Sequence, residues 1–109
     1  MILINATPHE IHLVLDTGYY ILQKSGITPR VIQSSIDVEP LEYNGLSIPM
    51  KKTTLGNLEG LPDETENVFY IVSLLVLEAG KKLGRKDLFA PDTVRDEHGN
   101  IKGAKGFIQ

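Results

Sequence analysis

The sequence predicts an α+β domain, built from an antiparallel sheet of several short strands, one main helix and a C-terminal hairpin. The first half of the chain alternates short β-branched runs with turn signals, which is typical of antiparallel strands. A single later segment carries helix formers between two capping residues. With 109 residues the chain suits one hydrophobic core, so residues 1–109 are predicted to form a single domain.

The predicted strands of the N-terminal quarter are short. "ILIN" (residues 2–5) and "IHLVL" (residues 11–15) are β-branched runs that favour extended backbone. "DTG" (residues 16–18) is a turn signal, and "YYILQ" (residues 19–23) returns after it. The two runs on either side of this turn are therefore predicted to pair as a hairpin.

Another pair of strands is predicted in the middle of the chain. "RVIQSSI" (residues 30–36) is extended, and the Asn44–Gly45 turn signal introduces a further extended segment. Pro49 lies in that segment and lacks an N–H group, so we expect it at a sheet edge or a bulge. A polar loop, residues 56–67, then leads into the most apolar part of the chain.

The main helix is predicted from about residue 73 to about residue 83, after a strand that ends near Val72. Ser73 is a suitable N-cap, and Gly84 is a suitable C-cap. Gly80 inside the helix costs about 1 kcal/mol relative to alanine, so the helix needs a close neighbour there. The C-terminal tail is predicted to be a hairpin that turns at Gly99–Asn100.

Composition excludes several functional classes. The chain has no cysteine, so disulfides and thiolate metal sites are not available to it. A net charge of −3 argues against DNA or RNA as the main partner. The longest apolar run, "VFYIVSLLVL", is far shorter than the roughly twenty residues that span a bilayer, and no secretory signal begins the chain. We therefore expect an intracellular, soluble protein with no membrane partner.

No residue pattern indicates catalysis or a resident metal or cofactor. His9, Glu10 and His12 do not form the helical zinc motif, and the two histidines would point to opposite faces of a strand. We interpret them as turn and surface histidines. The serines lack a nucleophile elbow, and the acidic clusters at residues 63–66 and 92–97 are typical of solvated loops. The chain is thus predicted not to be an enzyme.

The C-terminal hairpin carries the clearest candidates for anion binding. "GNIKGAKG" (residues 99–106) interleaves glycines with lysines, including Lys102, although the order is not that of a P-loop. A two-residue loop at Gly99–Asn100 would place Glu97 opposite Lys102 and Arg95 opposite Ala104. Two interpretations of Arg95 remain open, a phosphate-binding arginine and a surface ion pair with Glu97.

An aromatic pair precedes the helix. Phe69 and Tyr70 are adjacent strand residues, so their side chains point to opposite faces. One is predicted to enter the core, and the other to stack on a base or to line an interface.

Four stretches of the chain resemble small phage and prophage proteins: "NATPHEIHLV", "GLP" (residues 60–62), "YIVSLLVLEA" and "APDTVRDEHGNIKG". Together they are similar to the first type of the Thoeris anti-defence sponge family. That resemblance implies a small oligomeric protein without enzymatic activity in the cytoplasm of a bacterial host cell. It also implies sequestration of cyclic ADP-ribose-type immune signals, and some members hold cyclic oligonucleotides.

The resemblance also implies a set of ligand-binding residues. Arg95 would contact phosphate, Phe69 would stack on the adenine, and Asp92 or Thr93 would bind ribose or base groups. Arg30 is a second arginine candidate, and Lys102 from the hairpin completes the set.

The apolar helix on so small a domain predicts a homo-oligomer in which Gly80 admits a second copy closely. Two alternative functions remain. One is a phage accessory protein that binds a host protein without a small ligand, and the other is a small hydrolase that uses Asp92 and Glu97.

Overall fold

The computed structural model describes all 109 residues, Met1–Gln109. It contains eight strands and one helix. In chain order these are β1 Ile2–Asn5, β2 Ile11–Leu15, β3 Gly18–Leu22, β4 Arg30–Tyr43, β5 Leu46–Glu59, β6 Val68–Ile71, α1 Leu74–Lys82, β7 Leu88–Arg95 and β8 Ile101–Ile108. The α+β class, the single main helix and the C-terminal hairpin β7–β8 are confirmed.

Six strands form one curled sheet in the order β1-β6-β7-β8-β2-β3, and β4 and β5 form a separate two-stranded sheet. The predicted antiparallel pairing holds for β2–β3, β4–β5 and β7–β8, whereas β1–β6, β6–β7 and β2–β8 pair in parallel, so the larger sheet is mixed. Helix α1 is the crossover between β6 and β7, and such a crossover connects parallel neighbours. A bridge between Asn5 and Lys24 brings the two ends of the sheet together.

The core has two parts, which the alternation of β6 explains. Tyr70 and Val72 face α1, where they pack in a cluster with Val76, Leu77 and Leu88. Ile71 points the other way, into a second cluster with Ile11, Leu13 and Ala104. Because Ile71 and Val72 are both completely buried, this strand and the residue after it are enclosed from both sides.

Helix α1 begins and ends as its sequence predicts. The Ser73 side chain accepts a hydrogen bond from the Val76 N–H at 3.3 Å. Gly84 has a φ of 80°, and the N–H groups of Gly84 and Arg85 donate to the carbonyls of Lys81 and Gly80, which is a Schellman motif. At nine residues the helix is too short to span a membrane.

Gly80 is buried where α1 crosses β7. A Cβ atom at this position would lie 2.2 Å from Cδ1 of Leu88. The predicted close neighbour is therefore Leu88 of the same chain. The expectation that Gly80 admits a second copy is wrong, because β7 already occupies that side of the helix.

The β4–β5 hairpin is an arm of two 14-residue strands, far longer than the predicted strand 30–36. It turns at Asn44–Gly45, whose φ angles are both positive, as that turn signal predicts. Val38 pairs with Met50 and Leu41 pairs with Ile48, so β4 has one extra residue opposite Pro49. Pro49 thus lies at a bulge, as expected.

A salt bridge anchors the polar loop before β6 to the start of β7. The Arg85 guanidinium donates to both carboxylate oxygens of Asp87, at 2.9 and 2.7 Å, and to the carbonyl of Pro62 at 2.8 Å. Asp87 is buried and only 3% exposed. Its hydrogen bonds raise the pKa of Arg85 above the usual value, so this arginine stays charged wherever the protein is folded.

Candidate functional site

The C-terminal hairpin has a different register from the one that charge matching predicts. Arg95 pairs with Ile101, and residues 96–100 form the loop between the strands. The Asp96 side chain accepts hydrogen bonds from the N–H groups of His98 and Asn100, at 2.9 and 3.0 Å. This carboxylate therefore organises a five-residue loop in place of the predicted two-residue loop.

The predicted cross-strand pairs are accordingly wrong. Ala104 lies opposite Thr93 and not opposite Arg95. Glu97 Oε1 lies 3.6 Å from Nε2 of the neighbouring His98, and Glu97 forms no ion pair with Lys102 or Arg95. A cross-strand charge pair at the surface contributes under about 1 kcal/mol, which two backbone hydrogen bonds to Asp96 outweigh.

Arg95 closes the loop that follows it. Its Nη1 atom donates to the Gly99 carbonyl at 2.7 Å, and the residue is exposed. Of the two interpretations left open by the sequence, the ion pair with Glu97 is not formed. The remaining nitrogens of the guanidinium make no hydrogen bond to protein, so they are accessible to an anion beside the loop.

Strand β8 contains two bulges, each with a lysine as the extra residue. Val94 pairs with Gly103 and Arg95 with Ile101, which leaves Lys102 unpaired. Lys105 occupies the second bulge, since Asp92 pairs with Gly106 and Thr93 with Ala104. Bulges re-aim side chains relative to the strand. Neither lysine forms an ion pair with a carboxylate.

A cleft of about 300 Å³ lies where β2, β7 and β8 meet, and we call it the β8 cleft. Two of the six predicted ligand-binding residues, Thr93 and Lys102, line it together. The full lining is Glu10, Ile11, His12, Pro91, Thr93, Ile101, Lys102, Gly103 and Ala104. The cleft thus combines one unpaired ammonium group with a hydroxyl, an imidazole, a carboxylate and a few apolar side chains.

His12 is held between two partners at the rim of the cleft. Its Nε2 atom lies 2.8 Å from Glu10 Oε1, and its Nδ1 atom forms a hydrogen bond with the Tyr19 hydroxyl. Residues 10 and 12 project on the same side of extended backbone, and Tyr19 is the diagonal neighbour of His12 across the hairpin. No group of three or more His, Asp or Glu side chains is placed to hold a metal ion.

Sequence reasoning assigned no ligand contact to Glu10, His12 or Tyr19. One feature of the sequence could have indicated this cluster. If the segment is a strand, Glu10 and His12 are two residues apart and their side chains lie on the same face. The predicted hairpin with residues 19–23 then brings Tyr19 beside them. Their proximity to Lys102 depends on the β2–β8 pairing of Leu13 with Ala104, which joins residues some ninety positions apart.

Gly103 permits the close approach of β8 to β2. A Cβ atom here would lie 2.7 Å from the backbone oxygen of His12 and 3.2 Å from Cγ2 of Val14. Backbone atoms cannot rotate out of the way as a flexible side chain can. Gly103 therefore fixes the width of the cleft at its β2 side.

The other predicted residues lie outside the β8 cleft. Phe69 is half-buried and begins a ladder of three stacked rings with Phe89 and Phe107, at centroid distances of 5.4 and 5.9 Å. Asp92 is half-buried opposite Gly106, and Arg30 is exposed at the start of the arm. The structure therefore brings together two of the six residues, places Arg95 at the tip of the same hairpin, and separates the remaining three.

A larger groove of about 560 Å³ lies between α1 and the base of the arm. Its lining is mainly apolar, with Leu55, Leu75 and Leu83 beside Lys82 and Glu78. Lys82 there is outnumbered by two acidic neighbours, Glu59 and Glu78, whereas in the β8 cleft Lys102 is matched by the single carboxylate of Glu10, which contacts His12. The β8 cleft is the better candidate for an anionic ligand.

No protein-family model, curated protein or solved structure matches this chain.

Proposed function

We propose that the protein sequesters a small anionic nucleotide signal in the β8 cleft without turning it over. The ligand class is that of cyclic ADP-ribose-type signals and cyclic oligonucleotides, and the protein acts as a phage anti-defence factor in the cytoplasm of a bacterial host. One observation carries the proposal. Lys102, the extra residue of a bulge, lines the cleft without a carboxylate partner.

The size and chemistry of the cleft support this class of ligand. Small-molecule sites occupy about 300–1,000 Å³ and combine an apolar lining with a few polar groups. The β8 cleft lies at the lower end of that range, at about 300 Å³. In the proposal Lys102 binds phosphate, and the Thr93 hydroxyl and Glu10 carboxylate bind ribose or base groups. The chain carries a net charge of −3, so attraction of the anion is local to this hairpin.

The other predicted residues have secondary roles in the proposal. Arg95 keeps free guanidinium nitrogens at the tip of the same hairpin and contributes a second positive charge there. Phe69, Asp92 and Arg30 do not line the cleft, so within one chain the proposal assigns them no direct contact. In a homo-oligomer, which we also propose, they are available to a ligand that extends beyond one subunit.

The decisive experiment compares two bulge lysines. Isothermal titration calorimetry is performed with cyclic ADP-ribose isomers and with cyclic di- and trinucleotides. We expect Lys102→Ala to weaken binding at least tenfold, because it removes the only lysine of the cleft. Lys105→Ala is the matched control, since Lys105 is also a bulge lysine of β8 but does not line the cleft, and its affinity should equal that of the wild type.

Three outcomes would contradict the proposal. The first is that none of these nucleotides binds the wild-type protein. The second is that Lys102→Ala and Lys105→Ala weaken binding equally. The third concerns turnover, because His12 between Glu10 and Tyr19 is also an arrangement that can move protons. Ligand recovered after denaturation should be unchanged, whereas a cleaved product that His12→Gln no longer forms would indicate a hydrolase.

A second candidate function is a phage accessory protein that binds a host protein and no small ligand. The exposed apolar side chains of the β4–β5 arm favour it, because contiguous apolar surface marks interaction sites. A stoichiometric complex with one identified host protein, together with calorimetry that detects no nucleotide binding, would support this function over sequestration.

A further inference from the structure

The distal half of the β4–β5 arm is amphipathic. Cross-strand partners share a face of a ribbon, and three consecutive pairs on one face are entirely apolar. These pairs are Val38 with Met50, Leu41 with Ile48, and Tyr43 with Leu46. Ile36 extends the same face toward the base, where its cross-strand partner is Lys52. We call these seven side chains the apolar arm face.

The opposite face of the arm is polar over the same length. Its pairs are Ser35 with Thr53, Asp37 with Lys51, and Glu42 with Ser47. A two-stranded ribbon in water has no reason to segregate its side chains in this way. Such segregation is typical of a ribbon that has one face in solvent and the other against a partner.

Nothing in the same chain covers the apolar arm face. The core clusters take only Val31 and Leu58 from the base of the arm. The seven side chains of the face are between 37% and 64% exposed, with Ile48 the least and Ile36 the most exposed. An isolated two-stranded hairpin is marginally stable in water, so an arm of this length needs a partner surface.

We propose that the apolar arm face packs against the same face of a second copy of the chain, in a two-fold symmetric dimer. Because each of the seven residues is at least 37% exposed, their combined exposed surface is of the same order as the ~800 Å² that each partner buries in a stable interface. All seven are uncharged, and the charge on the same face, that of Lys52 opposite Ile36, lies at the end toward the base of the arm. Two ribbons stacked in this way form a four-stranded sandwich with a common apolar core.

The edges of the arm favour stacking of the proposed ribbons over extension of one sheet. Strand pairing through an edge needs free N–H groups along it. Pro40 and Pro49 both lie at the bulge in the middle of the arm, and neither has an N–H group. The two prolines interrupt edge pairing in the middle of the arm, whereas face-to-face packing needs no N–H groups at the edges. This proposal does not rest on the nucleotide proposal, because no arm residue lines the β8 cleft.

The first test is Leu41→Glu, which places a carboxylate on the apolar arm face. Sedimentation velocity over a range of concentrations should give a dimer for the wild type and a 12.1 kDa monomer for the variant, with the dimer dissociation constant raised at least a hundredfold. Ser47→Lys is the control on the polar face, opposite Glu42, and it should remain dimeric. A wild type that is monomeric at 100 μM, or a Leu41→Glu variant as dimeric as the wild type, would overturn the proposal.

A second test does not depend on the folding of a charged variant. The chain has no cysteine, so any disulfide formed by a single-cysteine variant joins the introduced residue of one subunit to the same residue of another. Under mild oxidation Ile48→Cys, near the middle of the apolar arm face, should form a disulfide-linked dimer. Ser47→Cys, one residue away on the polar face, should not. Equal cross-linking of the two variants, or a wild-type monomer whose arm binds a different host protein, would also overturn the proposal.

Discussion

Gly80→Ala tests the packing of α1 on β7, because two effects of opposite sign act at this residue. Alanine in place of glycine inside a helix stabilises it by about 1 kcal/mol. The added Cβ atom, however, would lie 2.2 Å from Cδ1 of Leu88, whereas carbon atoms in contact are about 3.5–4.0 Å apart. Leu88 is only 2% exposed, so its side chain has no open space to move into.

The size of the effect follows from the balance of these terms. Overpacking of a filled core costs about 1–3 kcal/mol, and the middle of that range, about 2 kcal/mol, exceeds the helix gain of about 1 kcal/mol. We therefore expect Gly80→Ala to lower the free energy of unfolding by about 1 kcal/mol. Leu88→Ala alone should cost about 2–5 kcal/mol, because it leaves a cavity in the core. In the Leu88→Ala background the clash is absent, so Gly80→Ala should stabilise the protein there.

The assay is urea unfolding followed by far-ultraviolet circular dichroism, for the wild type, both single variants and the double variant at one protein concentration. The coupling free energy between the two positions should be about 2 kcal/mol. If Gly80→Ala stabilises the wild type by the full helix gain, the contact with Leu88 does not constrain the helix. If the effects of Gly80→Ala and Leu88→Ala are simply additive, so that the coupling free energy is zero, the reasoning is refuted as well.

Two further predictions concern the loop anchor and the cleft. Asp87→Ala should lower the free energy of unfolding by about 3 kcal/mol in urea titrations, because it leaves the Arg85 guanidinium without its buried partner; a loss below 1 kcal/mol would contradict this. Gly103→Ala should destabilise the protein by about 1–3 kcal/mol and weaken nucleotide binding, because β8 must move away from β2. Gly106→Ala is its control, since a Cβ there meets nothing within 4 Å, and equal losses in the two variants would contradict the assignment.

Local features of the chain were predictable from sequence, and long-range pairings were not. The caps of α1, Ser73 and Gly84, are decided by residues within one turn, and both predictions are confirmed. The parallel pairing of β1 with β6 joins residues more than sixty positions apart, and no local pattern encodes it. The predicted length of the loop in the last hairpin is wrong for a different reason. Cross-strand charge pairing predicts a two-residue loop, whereas the hydrogen bonds accepted by the Asp96 side chain decide the turn.

The candidate site divides in the same way. Thr93 and Lys102 were predictable, because both lie on one hairpin near its turn. Glu10 and His12 join them only through the pairing of β2 with β8, so they were interpreted as surface groups. The apolar arm face was missed because the predicted strand stopped at residue 36. The alternation of apolar and polar residues in the arm becomes visible only when β4 and β5 are aligned across the turn at residues 44–45.

The two proposals assign ligand binding and assembly to different parts of the chain, and this separation can be tested. The β8 cleft is formed by β2, β7 and β8, whereas the apolar arm face belongs to β4 and β5 alone. Because the cleft of one subunit contains no arm residue, ligand binding in it does not depend on the arm. A Leu41→Glu monomer should therefore still bind one nucleotide per chain, and Lys102→Ala should still form the dimer. If the monomer loses binding, the ligand instead bridges two subunits, and residues outside the cleft, Phe69 and Arg30 among them, become the candidates for the missing contacts.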